Sequence, residues 1–182
     1  MALLPADPVK RGRVKLALLC ALFSLPLALA WLVWRLDLVP GGTANYGELL
    51  PPRELKAAPL AALKGKWVLV QLDRGACDAY CERKLYFMRQ ARRAMGRQMH
   101  RVERLWIVTD ATAPAPKLLE AIEGTAVAAG DPPLLGAFPG APADHIYLVD
   151  PLGNLMLRFP RDPDPSRMVK DLQRLLRYSG FG

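Results

Sequence analysis

The run Leu16–Trp34, LALLCALFSLPLALAWLVW, contains no charged residue. At about 1.5 Å rise per residue, a helix over it crosses a bilayer core of roughly 30 Å. Lipid offers no partner to backbone N–H and C=O groups, so the run is expected to be helical, and Pro26 is tolerated within it. Trp31 and Trp34 stand at one end as an interfacial aromatic pair. Lys10, Arg11, Arg13 and Lys15 precede the run, whereas only Arg35, with Asp37 close by, follows it. The positive-inside rule then keeps the N-terminus in the cytoplasm and sends everything after about residue 36 outside. Ala28-Leu29-Ala30 has the small-x-small pattern of a signal-peptidase site. Because the apolar run continues through Trp34, longer than a signal core, an uncleaved signal anchor is expected. The chain is thus expected to divide into a cytoplasmic segment 1–13, a transmembrane helix 14–36, a linker 37–64 and an external domain 65–182.

The 182 residues suit one compact domain plus these attachments. The linker assignment rests on its breakers: Pro40-Gly41-Gly42, Asn45-Tyr46-Gly47 and Pro51-Pro52. The formal net charge is +8, and much of it crowds between Arg83 and Arg104. Nucleic acid is not an expected partner for a domain tethered outside a membrane. Anionic lipid headgroups or an acidic protein suit the charge, beside the plain alternative of a solvated helix face.

Within the external domain, Trp67–Leu72 is an almost continuous apolar run, as a strand covered on both faces should be. From Asp78 to about Gly96 the spacing predicts a helix: Cys81, Leu85, Met88, Ala91 and Met95 form one stripe, with arginines opposite. Arg104–Val108 reads as a second buried strand and Pro116–Ile122 as a short helix. Residues 124–143, rich in Gly and Pro, read as a long loop. His145–Val149 and Leu155–Phe159 are predicted strands joined by a turn at Asp150-Pro151-Leu152-Gly153-Asn154. Asp164 and Pro165 open a last helix with Val169, Leu172, Leu175 and Leu176 on its buried face, stopped at Gly180. Two parallel strands with a crossover helix, then an antiparallel hairpin and a helix, make a mixed sheet flanked by helices. This is the thioredoxin-like order, and the fold class expected is α/β, a thioredoxin-like domain preceded by one transmembrane helix.

Cys77 and Cys81 fall where the first strand hands over to the first helix of that domain. A helix N-terminus favours thiolate over thiol, and Arg74, Arg83 and Lys84 add positive charge, while Asp78 and Glu82 oppose it. The offset lets the two sulfurs meet as a redox pair or grip one ion. Two thiolates are soft ligands suited to Cu(I), with an imidazole as third ligand; structural zinc usually wants a fourth. His145 is the candidate third ligand. His100, among basic residues, reads as exposed, and Met88, Met95 and Met99 as core positions rather than ligands. Cys20 lies within the apolar run and reads as a lipid-facing or packing residue.

Gly65–Val70, Cys77-x-x-x-Cys81, Asp144-His145 and Tyr147-Leu148-Val149-Asp150-Pro151-x-Gly153 together resemble the Sco/SenC family. The likeness extends in organisation over roughly residues 14–178 and is closest to the small Sco-like transmembrane proteins of proteobacteria. It implies a thioredoxin-fold protein anchored in the bacterial inner membrane, with its domain in the periplasm, that serves cytochrome oxidase assembly. It also implies copper bound by Cys77, Cys81 and a distal histidine, and as partner a cytochrome c oxidase subunit or another assembly factor. The chain departs from the family in placing Asp78 and Glu82 where proline usually follows each cysteine. Aligned without a gap on Tyr147-Leu148, the family histidine would fall on Pro142, so His145 matches only if the loop shortens beside it. Pro142 is also the nearest candidate for the cis-proline that thioredoxin-like enzymes set opposite their cysteines. Three functions remain open: copper delivery through Cys77, Cys81 and His145; thiol–disulfide reduction of a partner, with Cys77 attacking and Cys81 resolving; and a scaffold with a structural disulfide and a basic docking face.

Overall fold

The structure, a computed structural model, describes residues 8–36 and 45–180. Residues 1–7 of the expected cytoplasmic segment and Pro40-Gly41-Gly42 of the expected linker lie outside the described residues. The chain forms two units, divided after Ala44.

The described part of the first unit is one helix, α1 (Pro8–Arg35). It is the one helix among the described residues long and apolar enough to cross a membrane. Leu16, Phe23, Leu27 and Trp34 are exposed on it, as is Cys20, so its surface suits lipid rather than a protein core.

The second unit is built on a six-stranded mixed sheet. Its strands are β1 (Glu48–Glu54), β2 (Trp67–Asp73), β3 (Val102–Val108), β4 (Ala126–Ala129), β5 (Ile146–Val149) and β6 (Asn154–Arg158), in the order β1-β6-β5-β2-β3-β4. β2 runs parallel to β3, and β3 to β4; β5 and β6 form the expected antiparallel hairpin, and β5 pairs antiparallel with β2. Side-chain alternation along the strands makes two cores. Val68, Val70, Leu72, Leu105, Ile107, Tyr147 and Val149 face one way, covered by Leu55, Leu60, Leu134 and Phe138. Trp67, Leu69, Ile146, Leu148 and Leu157 face the other, under α3 (Ala79–Arg93) and α6 (Pro165–Tyr178). Met88, Ala91, Met168, Leu172 and Leu176 supply the helical side of that layer. Short helices α2 (Ala58–Ala61), α4 (Pro116–Ala121) and α5 (Pro132–Leu135) complete the frame.

The sheet is larger than expected at both edges. β1 comes from the segment read as linker; it holds Pro51 and Pro52 because it is an edge strand, and its register with β6 breaks between Leu49 and Arg53. Buried Asp171 on α6 accepts the backbone N–H groups of Tyr46 and Gly47, both at 2.9 Å, and so fixes the entry to β1. β4 and α5 occupy the stretch expected to be loop. Met88 and Met95 are buried as expected, whereas Met99 lies exposed beyond the helix; His100 is exposed too.

Candidate functional site

The turn between β2 and α3 is shaped by a contact only glycine allows. A Cβ on Gly75 would stand 1.8 Å from the Thr112 carbonyl oxygen, and the Gly75 N–H donates to Asp110 Oδ1 at 2.8 Å. That N–H, helped by the Thr112 hydroxyl and N–H and by Arg74, holds the Asp110 carboxyl below its ordinary value against weaker desolvation. The loop after β3 thus clamps the one that carries Cys77.

Cys77 and Cys81 are joined as a disulfide, with Cα atoms 5.2 Å apart. Cys77, 9% exposed, borders a surface cavity of about 220 Å³ shared with Asp73, Arg74, Ala76 and Asp78. It is the one non-glycine residue among those described with positive φ, at 20°. Cys81 is fully buried in the first turn of α3, packed with Leu85, Trp106 and Val108. The two cysteines are therefore unequal: Cys77 borders a surface cavity, whereas Cys81 is sealed in the core.

Gln71, a residue that strand patterning gave no reason to single out, lies beneath the pair. It is fully buried, and its Nε2 donates to the Cys81 carbonyl at 3.1 Å and to Cys81 Sγ at 3.2 Å. A carbonyl can only accept, which fixes the amide with its donor toward the sulfur. The opposite atom, Gln71 Oε1, is buried without a hydrogen-bond partner.

Asp78 caps α3, accepting from the Tyr80 and Cys81 N–H groups at 3.0 and 2.9 Å. The Cys81 N–H is the main cause holding its carboxyl below the ordinary value; Tyr80, Lys84 and Arg74 help, and desolvation opposes. A depressed folded pKa means that the cap contributes fully above about pH 4, the ordinary value, and is lost as pH falls through the lower folded value. Asp78→Ala is expected to lower the melting temperature of the full chain in detergent micelles by a few degrees at pH 7. The gap from the wild type should close on acidification; a gap unchanged at the most acid pH would contradict it.

Lys84, one turn beyond Cys81, is only 1% exposed. Its Nζ sits 2.9 Å from Asp73 Oδ2, donates to the Ala143 carbonyl and lies 4.9 Å from the centre of the Tyr80 ring. The Tyr80 hydroxyl reaches the carbonyls of Asp144 and Arg161, and burial raises its pKa. These contacts draw the turn at Pro142–Asp144 to the cysteine end of the sheet. Pro142 opens that turn but is not the expected cis-proline, since no cis peptide bond occurs among the described residues.

His145 follows at the same end, but its ring turns away from the pair. Its Nδ1 donates to the Phe159 carbonyl at 2.8 Å, and the ring packs edge-on against Tyr147 at 6.1 Å between centres. Its Nε2 faces Gly140. Tyr147 belongs to the core on the sheet face opposite Cys81, with its hydroxyl pushed up to about 12 chiefly by burial. Among the described residues no group of three or more His, Cys, Asp or Glu side chains is arranged to hold a metal ion. The structure thus brings Cys77 and Cys81 together and does not bring His145 to them. The donor set fits a soft ion held by two thiolates once the disulfide is reduced, and does not fit the three-ligand arrangement.

Three solved structures share this fold. Copper-bound Sco1 from yeast superposes with a TM-score of 0.57 at 15% identity, over 76% of this chain and 96% of that one. Apo Sco1 from Thermus thermophilus gives 0.53 at 18% identity, over 75% and 99%. Copper-bound ScoI from Arabidopsis thaliana gives 0.52 at 13% identity, over 74% and 99%. At these identities the likeness is one of fold. A comparison with curated proteins finds no match. The family model described as "Transmembrane-like, thioredoxin-like, C-terminal domain" matches residues 67–179, from the first residue of β2 to just past α6. With the paired cysteines, the mixed sheet and an apolar N-terminal helix of the single-pass anchor type already in place, that match over most of the chain assigns it: the protein belongs to the transmembrane-like, thioredoxin-like, C-terminal domain family.

Proposed function

We propose that this protein is a membrane-anchored thiol–disulfide exchange protein acting on the cysteines of a copper-site partner in cytochrome c oxidase assembly, either an oxidase subunit or another assembly factor. The observation that carries the reading is the asymmetry of the pair: Cys77 borders a surface cavity and Cys81 is sealed beneath it. In the reduced protein, the Cys77 thiolate attacks a partner disulfide, forming a mixed disulfide and releasing one partner thiolate. Cys81 then attacks Cys77 Sγ, closing the Cys77–Cys81 bond and releasing the second thiol. The partner gains two electrons and this chain loses two. α1 would hold the domain on the periplasmic face of a bacterial inner membrane, since Lys10, Arg11, Arg13 and Lys15 precede its apolar stretch.

A second reading, copper delivery, draws on the copper-bound yeast and Arabidopsis proteins of the same fold and on two soft thiolates. Copper would be cargo carried by Cys77 and Cys81, with His145 outside the ligand set. Both readings are tested on the reduced full chain in detergent micelles by thiol exchange with a two-cysteine peptide disulfide and by competitive Cu(I) titration. Cys77→Ser should abolish exchange, and Cys81→Ser should accumulate the mixed disulfide. His145→Ala should leave Cu(I) affinity unchanged; a large loss would restore it as a ligand. A pair inert to exchange, with no cysteine-dependent copper binding, would leave the scaffold with a structural disulfide.

A further inference from the structure

A second site lies away from the cysteines, between the C-terminal half of α3 and the start of β3. Arg89, Arg92 and Arg93 are spaced three and four residues apart on α3 and share one edge of the helix. Arg104 enters from β3 on the helix-facing side of the sheet, the side of Val102 and Trp106. The four arginines, with Glu123 and Gly124, line a cavity of about 320 Å³.

Arg104 is only 4% exposed. Its Nη2 donates to the Glu123 carbonyl at 2.8 Å, but its Nε and Nη1 are buried with no acceptor. Its neighbours are tied mainly to dipoles: Arg89 to the Ala121 carbonyl at 3.1 Å, Arg92 to the Val102 carbonyl at 2.6 Å. The one ion pair in the group joins Arg92 to Glu103 at 3.4 Å. Even crediting both Glu103 and Glu123 in full, two of the four guanidinium charges remain without a counter-charge. Burial first, then the like charges of Arg92 and Arg89, lower the Arg104 pKa, which marks the crowding. The helix dipole accounts for arginines in the last turn of α3, but not for one buried from a strand. Gly124 adds space: it stands at φ +77°, and a Cβ there would come within 3.1 Å of Arg104 Nη2. A buried charge with idle donors in an arginine-lined cavity is an arrangement completed by an anion.

We propose that the cavity lined by Arg89, Arg92, Arg93 and Arg104 binds a phosphomonoester group, carried by a lipid headgroup of the phosphatidate type or by a soluble phosphate ester. Planar guanidinium forks match phosphate oxygens two at a time, and a phosphomonoester carries about −1.5 to −2 at pH 7, matching the excess charge. A single carboxylate would supply only half of it.

The test uses the full chain in phosphatidylcholine nanodiscs, with melting followed as chloride is exchanged for inorganic phosphate or glycerol 3-phosphate at constant ionic strength. Millimolar glycerol 3-phosphate should raise the melting temperature by about 4 °C. Arg93→Gln and Arg89→Gln, at or near the surface, should each weaken the apparent affinity about tenfold. Arg104→Met should abolish the response while melting no lower than the wild type without phosphate. Arg177→Gln, exposed on α6, serves as the control and should respond as the wild type does. Repeating the series in nanodiscs containing phosphatidic acid, whose headgroup is a phosphomonoester, separates the sources. If headgroups fill the site, the stabilisation is present before any ester is added; if only soluble esters fill it, both lipids give the same titration. A wild type that responds equally to phosphate and chloride would overturn the proposal, as would Arg93→Gln and Arg89→Gln proteins that bind as the wild type does.

Discussion

Replacing Lys84 by methionine is expected to lower the unfolding free energy by about 3 kcal/mol, the range for breaking a buried ion pair by removing one member. Methionine keeps much of the stem's volume, so the loss reflects the charge rather than a cavity. What remains is the Asp73 carboxylate, whose side chain is 15% exposed and which keeps the Arg74 N–H at 2.9 Å but loses its counter-ion. The Ala143 carbonyl also loses its donor, and with it the tie between α3 and the turn at Pro142–Asp144. Urea unfolding of the full chain in micelles, followed by the fluorescence of buried Trp67 and Trp106, measures the effect. Adding Asp73→Asn to Lys84→Met should recover part of the loss, because the stranded charge is removed. Strictly additive losses would mean that the 2.9 Å contact carries no coupling.

The same pair shows where residue patterns stop being informative. Lys84 reads as one cation among several near a helix N-terminus, yet it falls on the buried side of α3, between Cys81 and Met88. Helical periodicity places it toward the core, but only the end of β2 supplies the carboxylate that makes burial tolerable. The central strands were legible for the opposite reason: β2 and β3 are buried on both faces and mostly apolar, and that needs no partner to be recognised. β1 and β4 were not legible. β1 carries two prolines and exposed side chains, and β4 is Ala-Val-Ala-Ala, with Val127 its one β-branched residue and no aromatic one to mark a strand. The cysteine pair announced itself by position. Its supporting residue Gln71 did not, since one polar residue in an apolar strand carries no sign of what it will meet. His145, one of two histidines, looks like a ligand by residue type alone, but its ring packs toward Tyr147, on the face opposite Cys81.

Gln71→Leu is expected to separate folding from thiol chemistry. Leucine is close in volume and removes Oε1, a buried acceptor without a partner, so the oxidised protein should be at least as stable to urea as the wild type. Reduction should slow. When an external thiolate attacks Cys77 from the cavity it borders, the electrons of the broken bond leave on Cys81 Sγ, which is fully buried. The hydrogen-bond donor on that sulfur among the described residues is Gln71 Nε2 at 3.2 Å. A leaving thiolate that loses a hydrogen bond departs more slowly, and a hydrogen bond to a charged group contributes about 1.5–3 kcal/mol, a tenfold or larger effect on rate. The measurement is the second-order rate of reduction by a small thiol, quenched by alkylation and read by mass. Gln71→Glu supplies the signature that a packing defect would lack. Its carboxylate should slow reduction further at neutral pH, by repelling the developing thiolate. On acidification the protonated carboxyl becomes a donor, so the rate relative to Gln71→Leu should rise. Wild-type reduction rates in Gln71→Leu would show that the amide beneath the disulfide has no part in its opening.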